Sequence, residues 1–166
     1  MKIDVSKLIY TKENVFEETL SFDPEKFVCH PPLLEVKKVD VVAKVNRYEQ
    51  FIYVDLNLKA DVILQCSYTL KPFESKIKGQ EELHFASYAE EGDDDIIIYK
   101  GNSIELDKYI FDVLSASIPL SPKAPNAKLP KSGKDYRVLS LDEFEKERAN
   151  KVDHRFDALD GLEFDD

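Results

Sequence analysis

Two cysteines, five glycines and three histidines are all that this 166-residue chain offers to thiol, phosphate and metal chemistry. Cys29 and Cys66 are too few for the disulfide framework of a small secreted domain. With so few glycines there is little material for a phosphate-cradling loop, and neither familiar spacing of one occurs. His30, His84 and His154 are scattered, and none stands at a ligand spacing from a cysteine. No apolar run approaches the roughly 20 residues of a membrane span, and the opening MKIDVSKLIY lacks the apolar core of a signal peptide. Acids are plentiful, but no one of them is singled out as a general acid or base. The expectation is a soluble, cytoplasmic protein with no cofactor, no membrane partner and a weak case for catalysis.

What is present is charge and alternation. Apolar residues make up 43% of the chain and charged residues 34%, with a net charge of −10. That apolar share, over this length, can bury a real core in one domain, expected over residues 1–150. The acidic field repels nucleic acid as a whole and favours basic protein partners.

From Ile52 to Cys66 the even positions are Ile, Val, Leu, Leu, Ala, Val, Leu and Cys, and most odd positions between them are polar. Period two over this length predicts a half-buried strand with Cys66 on its apolar face. After a turn at Leu70-Lys71-Pro72, Phe73, Ile77, Leu83 and Phe85 share one face, while Glu74, Lys76, Lys78, Gln80, Glu82 and His84 share the other. This is a long antiparallel hairpin. Upstream, residues 2–10 and 14–22 each suggest a strand, the second closed by a turn at Asp23-Pro24. Pro31-Pro32 implies an extended linker. Val39 to Val45 alternates as a further strand, followed by a polar hairpin loop over Asn46 to Gln50. Five or six strands are expected in all.

Residues 87–95, SYAEEGDDD, hold five acids and no base. Such blocks are usually solvated loops; the sharper reading is a docking surface for a basic protein, through Glu90, Glu91, Asp93, Asp94 and Asp95. Ile96 to Tyr99 reads as a short buried strand. Leu106, Tyr109, Ile110, Val113 and Leu114 recur at the spacing of one apolar helical face, with Pro119 as the stop, so this helix packs on the sheet. Lys123, Lys128, Lys131, Lys134 and Arg137 then form the basic segment, among three prolines and a glycine. Its composition reads as a loop, and the family resemblance given below adds a contact with RNA as the alternative to a plain solvated loop. Ser140-Leu141-Asp142-Glu143 fits a capping box that opens a short helix to about Asn150. The tail from Val152 holds six acids and one arginine, with Phe156, Leu159, Leu162 and Phe164 as anchors, and its composition suits disorder in the free state.

The string Cys66-Ser67-Tyr68-Thr69-Leu70-Lys71-Pro72-Phe73-Glu74 resembles the C-S-R-C-L-x-P-F-E motif of the YceD-like family of bacterial proteins. Further segments resemble that family in the same order: Met1 to Leu8, Phe16 to Leu20, the acidic loop, Ile104 to Asp107 opening a helix that ends at Ile118-Pro119-Leu120, Leu139 to Phe144, and Val152 to Phe156. The last two are similar to the end of the shorter, Gram-positive-type members. The resemblance implies a cytosolic, non-enzymatic factor that supports accumulation of large-subunit ribosomal RNA. Its implied partners are a ribosomal or RNA-processing protein, with the RNA itself met directly or through that protein. Many members carry C-x-x-C at the hairpin turn and C-K-G-L-C-P-x-C-G after the helix, a spacing suited to tetrahedral zinc. Here Cys66 remains, while Thr69, Pro125, Leu129 and Ser132 stand at the other cysteine positions, so no zinc is expected.

The fold expected is α+β: a curved, largely antiparallel sheet, open or closing towards a barrel, with one main packed helix and a short C-terminal helix. A general acidic adaptor without a ribosomal role is the competing function, and a thiol enzyme using Cys66 the third.

Overall fold

The computed structural model describes residues 1–10, 12–88 and 95–150. The chain divides into two compact units, Met1–Asn126 and Ala127–Asp166.

The first unit opens with β1 (Lys2–Asp4), which pairs with β7 (Ser103–Glu105) as a separate two-stranded ribbon. Four strands then follow one another as a meander. β2 (Asn14–Leu20), β3 (Leu33–Tyr48), β4 (Phe51–Gln65) and β5 (Pro72–Ala86) pair in sequence, all antiparallel. β6 (Ile96–Ile98) adds to β5 in parallel, against His84 to Ala86.

The alternation of β4 is realised without a break. Its even side chains from Ile52 to Leu64 are all buried, and Cys66 continues the series at 0% exposure. On β3 the odd positions Val39, Val41, Ala43 and Val45 face the same core. Leu33 shares that parity although two register shifts separate it from Val39. One bulge would flip every later side chain to the other face; two restore the face.

Helix α1 (Asp107–Ala116) buries Ile110, Val113 and Leu114 against β4 and β5, with Leu106 buried at its N-cap. Each fully buried aliphatic side chain of this kind contributes about 1.5–3 kcal/mol of transfer free energy. Gly79 on β5 makes the contact close: a Cβ there would lie 2.5 Å from the Ser117 hydroxyl and 3.1 Å from Val113. Phe111 on the flank of α1 packs on Phe22 and Phe27, with ring centroids 5.4 and 5.2 Å away.

Several expectations need correction. The sheet is open, with β2 and β6 at its ends; closure needs two edges that share a ladder, and three residues of β6 cover only the end of β5. Residues 2–10 are not one strand: after Asp4 its carboxylate accepts the Ser6 amide at 3.0 Å and starts a 3-10 turn over Val5–Lys7. Pro31-Pro32 is a turn rather than an extended linker, with the Leu33 amide donating to the His30 carbonyl at 2.9 Å. The loop expected over Asn46 to Gln50 shrinks to Glu49-Gln50, because the β3–β4 ladder runs on to Tyr48 opposite Phe51. Ile96 to Ile98 forms an edge strand with Ile98 54% exposed, not a buried one. Among the described residues there are seven strands against the five or six expected; the one not anticipated is β7, whose three residues carry too little pattern to be read.

The described part of the second unit, Ala127 to Asn150, ends in α2 (Leu141–Asn150). The capping box forms as expected. The Ser140 amide donates to Glu143 Oε2 at 2.8 Å, and the Glu143 amide donates back to Ser140 Oγ at 3.2 Å.

Candidate functional site at the hairpin tip

The β4–β5 tip is a tight structure built by backbone bonds. The Cys66 amide donates to the Lys71 carbonyl at 2.9 Å, and the Leu70 amide donates to the Cys66 carbonyl at 2.8 Å. Gln65 Nε2 donates to the Leu70 carbonyl at 3.2 Å. Leu70 takes a left-handed φ of 56°, a conformation unfavourable for a leucine, and projects from the tip 69% exposed. Pro72 is exposed and starts β5, while Phe73 packs half-buried against the core.

The segment after α1 fastens this tip. The Ser67 amide donates to the Pro122 carbonyl at 2.8 Å, and the Ala124 amide donates to Cys66 Sγ at 3.3 Å. Lys123 Nζ sits 4.8 Å from the centre of the Tyr68 ring, within cation–π range. The Ala124 amide first, and the Thr69 hydroxyl second, favour the thiolate and bring the Cys66 thiol from its ordinary 9.0 down to about 7, against the effect of burial. Burial pushes the Cys29 thiol the other way, helped by the charge of Glu35. Cys66 is thus easily ionised yet has no exposed surface, and thiol reactivity needs both.

The donor set does not fit zinc. Of the five positions that match the cysteines of other members, only Cys66 carries a thiol, and its sulfur takes a backbone amide. Among the described residues no group of three or more His, Cys, Asp and Glu side chains is placed to hold a metal ion.

The remaining expected residues are less gathered than the sequence suggests. The basic segment divides: Lys123 belongs to the first unit, and Lys128, Lys131, Lys134 and Arg137 to the second. Lys128, Lys131 and Lys134 are exposed, whereas Arg137 pairs with Glu147 at 2.7 Å. Of the five acids of the acidic loop only Asp95 is described, and it is exposed; Glu90, Glu91, Asp93 and Asp94 lie outside the described residues, as does the tail from Val152. His84 is half-buried at the sheet surface, 3.1 Å from Glu82 and packed on the Tyr53 ring. No helix among the described residues is long and apolar enough to cross a membrane.

Fold and site define a small α+β protein with a helix-backed open sheet and a fastened hairpin tip. Residues 54–163 match the family model of the large ribosomal RNA subunit accumulation protein YceD, and the chain belongs to that family. No curated protein and no solved structure matches the chain. The family's description ties its members to accumulation of the large ribosomal RNA subunit.

Proposed function

We propose that the protein is a non-catalytic factor that supports large-subunit ribosomal RNA accumulation by binding a basic ribosomal or RNA-processing protein. The observation that carries this reading is a net charge of −10 on a member of the YceD family. Such a field draws in a basic partner and sets the rate and specificity of encounter more than the final affinity. Glu90, Glu91, Asp93, Asp94, Asp95 and the acidic tail receive that partner, while Lys123, Lys128, Lys131, Lys134 and Arg137 meet phosphate. The protein acts in the cytoplasm, where ribosomal precursors are assembled.

A thiol enzyme is the second reading, favoured by the lowered pKa of Cys66 and opposed by its complete burial. Cys66→Ser separates the two: a binding factor keeps its function and a thiol enzyme loses it.

Capture of the tagged full-length protein from cell extract, at low and at high salt, tests the main reading. Large-subunit precursors or a basic ribosomal protein are expected at low salt and lost at high salt, because exposed charge pairs are screened. A partner set without ribosomal components would leave a general acidic adaptor in its place.

A further inference from the structure

On the outer face of the sheet, Lys59 of β4 and Lys78 of β5 are direct cross-strand partners. Like charges directly opposite one another are destabilising. The neighbouring lysines avoid that cost: Lys37 pairs with Glu74, Lys38 with Asp40, Lys44 with Glu13 and Lys76 with Asp61. Among the described residues, Lys59 and Lys78 take part in no ion pair or hydrogen bond. Asp40 stands directly opposite Lys59 on β3, but its carboxylate is bonded to the Thr19 hydroxyl at 2.7 Å and to Lys38 at 2.9 Å. These contacts first, and the charges of Lys38 and Lys59 after them, lower its pKa. Lys78 on the far strand has no acid opposite it among the described residues.

The two lysines border a concave site of about 740 Å³ on this face, with Lys44 as a third cation. The next row holds Val42, Asn57 and Gln80, aligned across β3, β4 and β5. Two amides there can each donate and accept. The row beyond is Lys44, Asp55 and Glu82, so carboxylates bound the site on that side. In a molecule of net charge −10 this is a local hollow whose lining carries three lysines against one acid, with Lys44 paired to Glu13 and Lys59 and Lys78 outside any close ion pair.

We infer that this hollow binds the sugar-phosphate backbone of single-stranded RNA, with Lys59 and Lys78 on phosphate and Asn57 and Gln80 within reach of the sugar or base. A phosphate between the two ammonium groups offsets their mutual repulsion, which Asp40, opposite Lys59 on β3, offsets on one side only. The inference deepens the ribosomal reading above and rests on it only for the choice of RNA over other phosphate polymers.

The test is fluorescence anisotropy of a labelled oligouridine with the full chain, across a salt series, beside thermal melting of the same samples. Lys78→Glu is expected to weaken binding about tenfold and to flatten the dependence of log K on log salt by about 0.7, the share of one phosphate contact on a single strand. The same change is expected to raise the melting midpoint, because a carboxylate would then sit opposite Lys59. Lys59→Gln, which removes the repulsion from Lys78 and the attraction to Asp40 together, is expected to weaken binding with little change in the midpoint. Substituting glutamine for Lys128, Lys131 and Lys134 adds to the effect of Lys78→Glu without replacing it.

Weaker binding by a more stable variant supports the site. Unchanged RNA affinity in Lys78→Glu, with or without a higher midpoint, overturns it, as does binding abolished by the Lys128, Lys131 and Lys134 substitutions alone. Loss of an acidic protein from the extract capture, with RNA affinity intact, reassigns the face to that protein and also overturns it. Ribosomal precursors still captured by the Lys78→Glu variant, alongside unchanged anisotropy, would end the RNA site and leave the ribosomal function standing. RNA bound in vitro without any ribosomal capture would do the reverse.

Discussion

The Ala124 amide donates to Cys66 Sγ at 3.3 Å, which joins the hairpin tip to a segment 58 residues later in the chain. With the bond from the Ser67 amide to the Pro122 carbonyl, it fastens the tip to the segment that follows α1. At the five positions where the family resemblance puts cysteines, this chain has Cys66, Thr69, Pro125, Leu129 and Ser132.

The fastening makes stability depend on pH in a defined window. The Cys66 thiol has a folded pKa of about 7 against an ordinary 9.0. A depressed pKa contributes stability fully above the unfolded value and loses it as pH falls through the folded value. Chemical denaturation of the wild type should therefore show stability rising between pH 7 and pH 9 relative to Cys66→Ser. Parallel behaviour of the two proteins across that window would show that the amide does not favour the thiolate.

Gly79 should tolerate no side chain. A Cβ would meet the Ser117 hydroxyl at 2.5 Å, Val113 at 3.1 Å and Leu58 at 3.2 Å, and Ser117 is itself held by its bond to the Val113 carbonyl. Gly79→Val is expected to cost about 1–3 kcal/mol through overpacking between α1 and the sheet. Urea denaturation measures it; a cost near zero would mean that α1 can move away freely.

Leu114→Ala should cost more. Leu114 is fully buried between α1 and the sheet, and truncating such a leucine typically costs about 2–5 kcal/mol. A shift of the urea midpoint at unchanged slope would report it.

Ser140→Ala is expected to act locally. Loss of an N-cap serine costs about 1 kcal/mol, and α2 buries none of its residues, so packing does not compensate. Amide exchange across Leu141 to Asn150 should quicken while exchange in β4 stays unchanged. Glu143 also favours its charged form through the Ser140 amide, so the box weakens as pH falls through its lowered pKa.

Long period-two runs were readable in the sequence because both faces of β4 and β5 differ sharply in polarity, and so were Cys66 on the core side and the buried face of α1. The capping box was readable because its two partners are three residues apart. Contacts between distant short segments were not: β1 meets β7 about a hundred positions later through three residues each, which no periodicity can announce. The fastening of Cys66 by Ala124 was hidden for the same reason. Lys59 and Lys78 looked like ordinary polar-face residues; only the register, fixed by Gln65 opposite Pro72, makes them partners. Open rather than closed sheet geometry also depends on which edges pair, and a parallel strand of three residues such as β6 leaves no alternating trace.

The central claim is that acidic residues of this protein support large-subunit ribosomal RNA through a basic partner. The most direct measurement is the ratio of large- to small-subunit ribosomal RNA in cells that lack the protein, complemented with the wild type or with a chain in which Glu90, Glu91, Asp93, Asp94 and Asp95 are changed to their amides. The account predicts a low ratio without the protein, restored by the wild type and not by the amide variant at equal protein level. Full restoration by the amide variant would contradict the acidic docking surface, and an unchanged ratio without the protein would contradict the function itself.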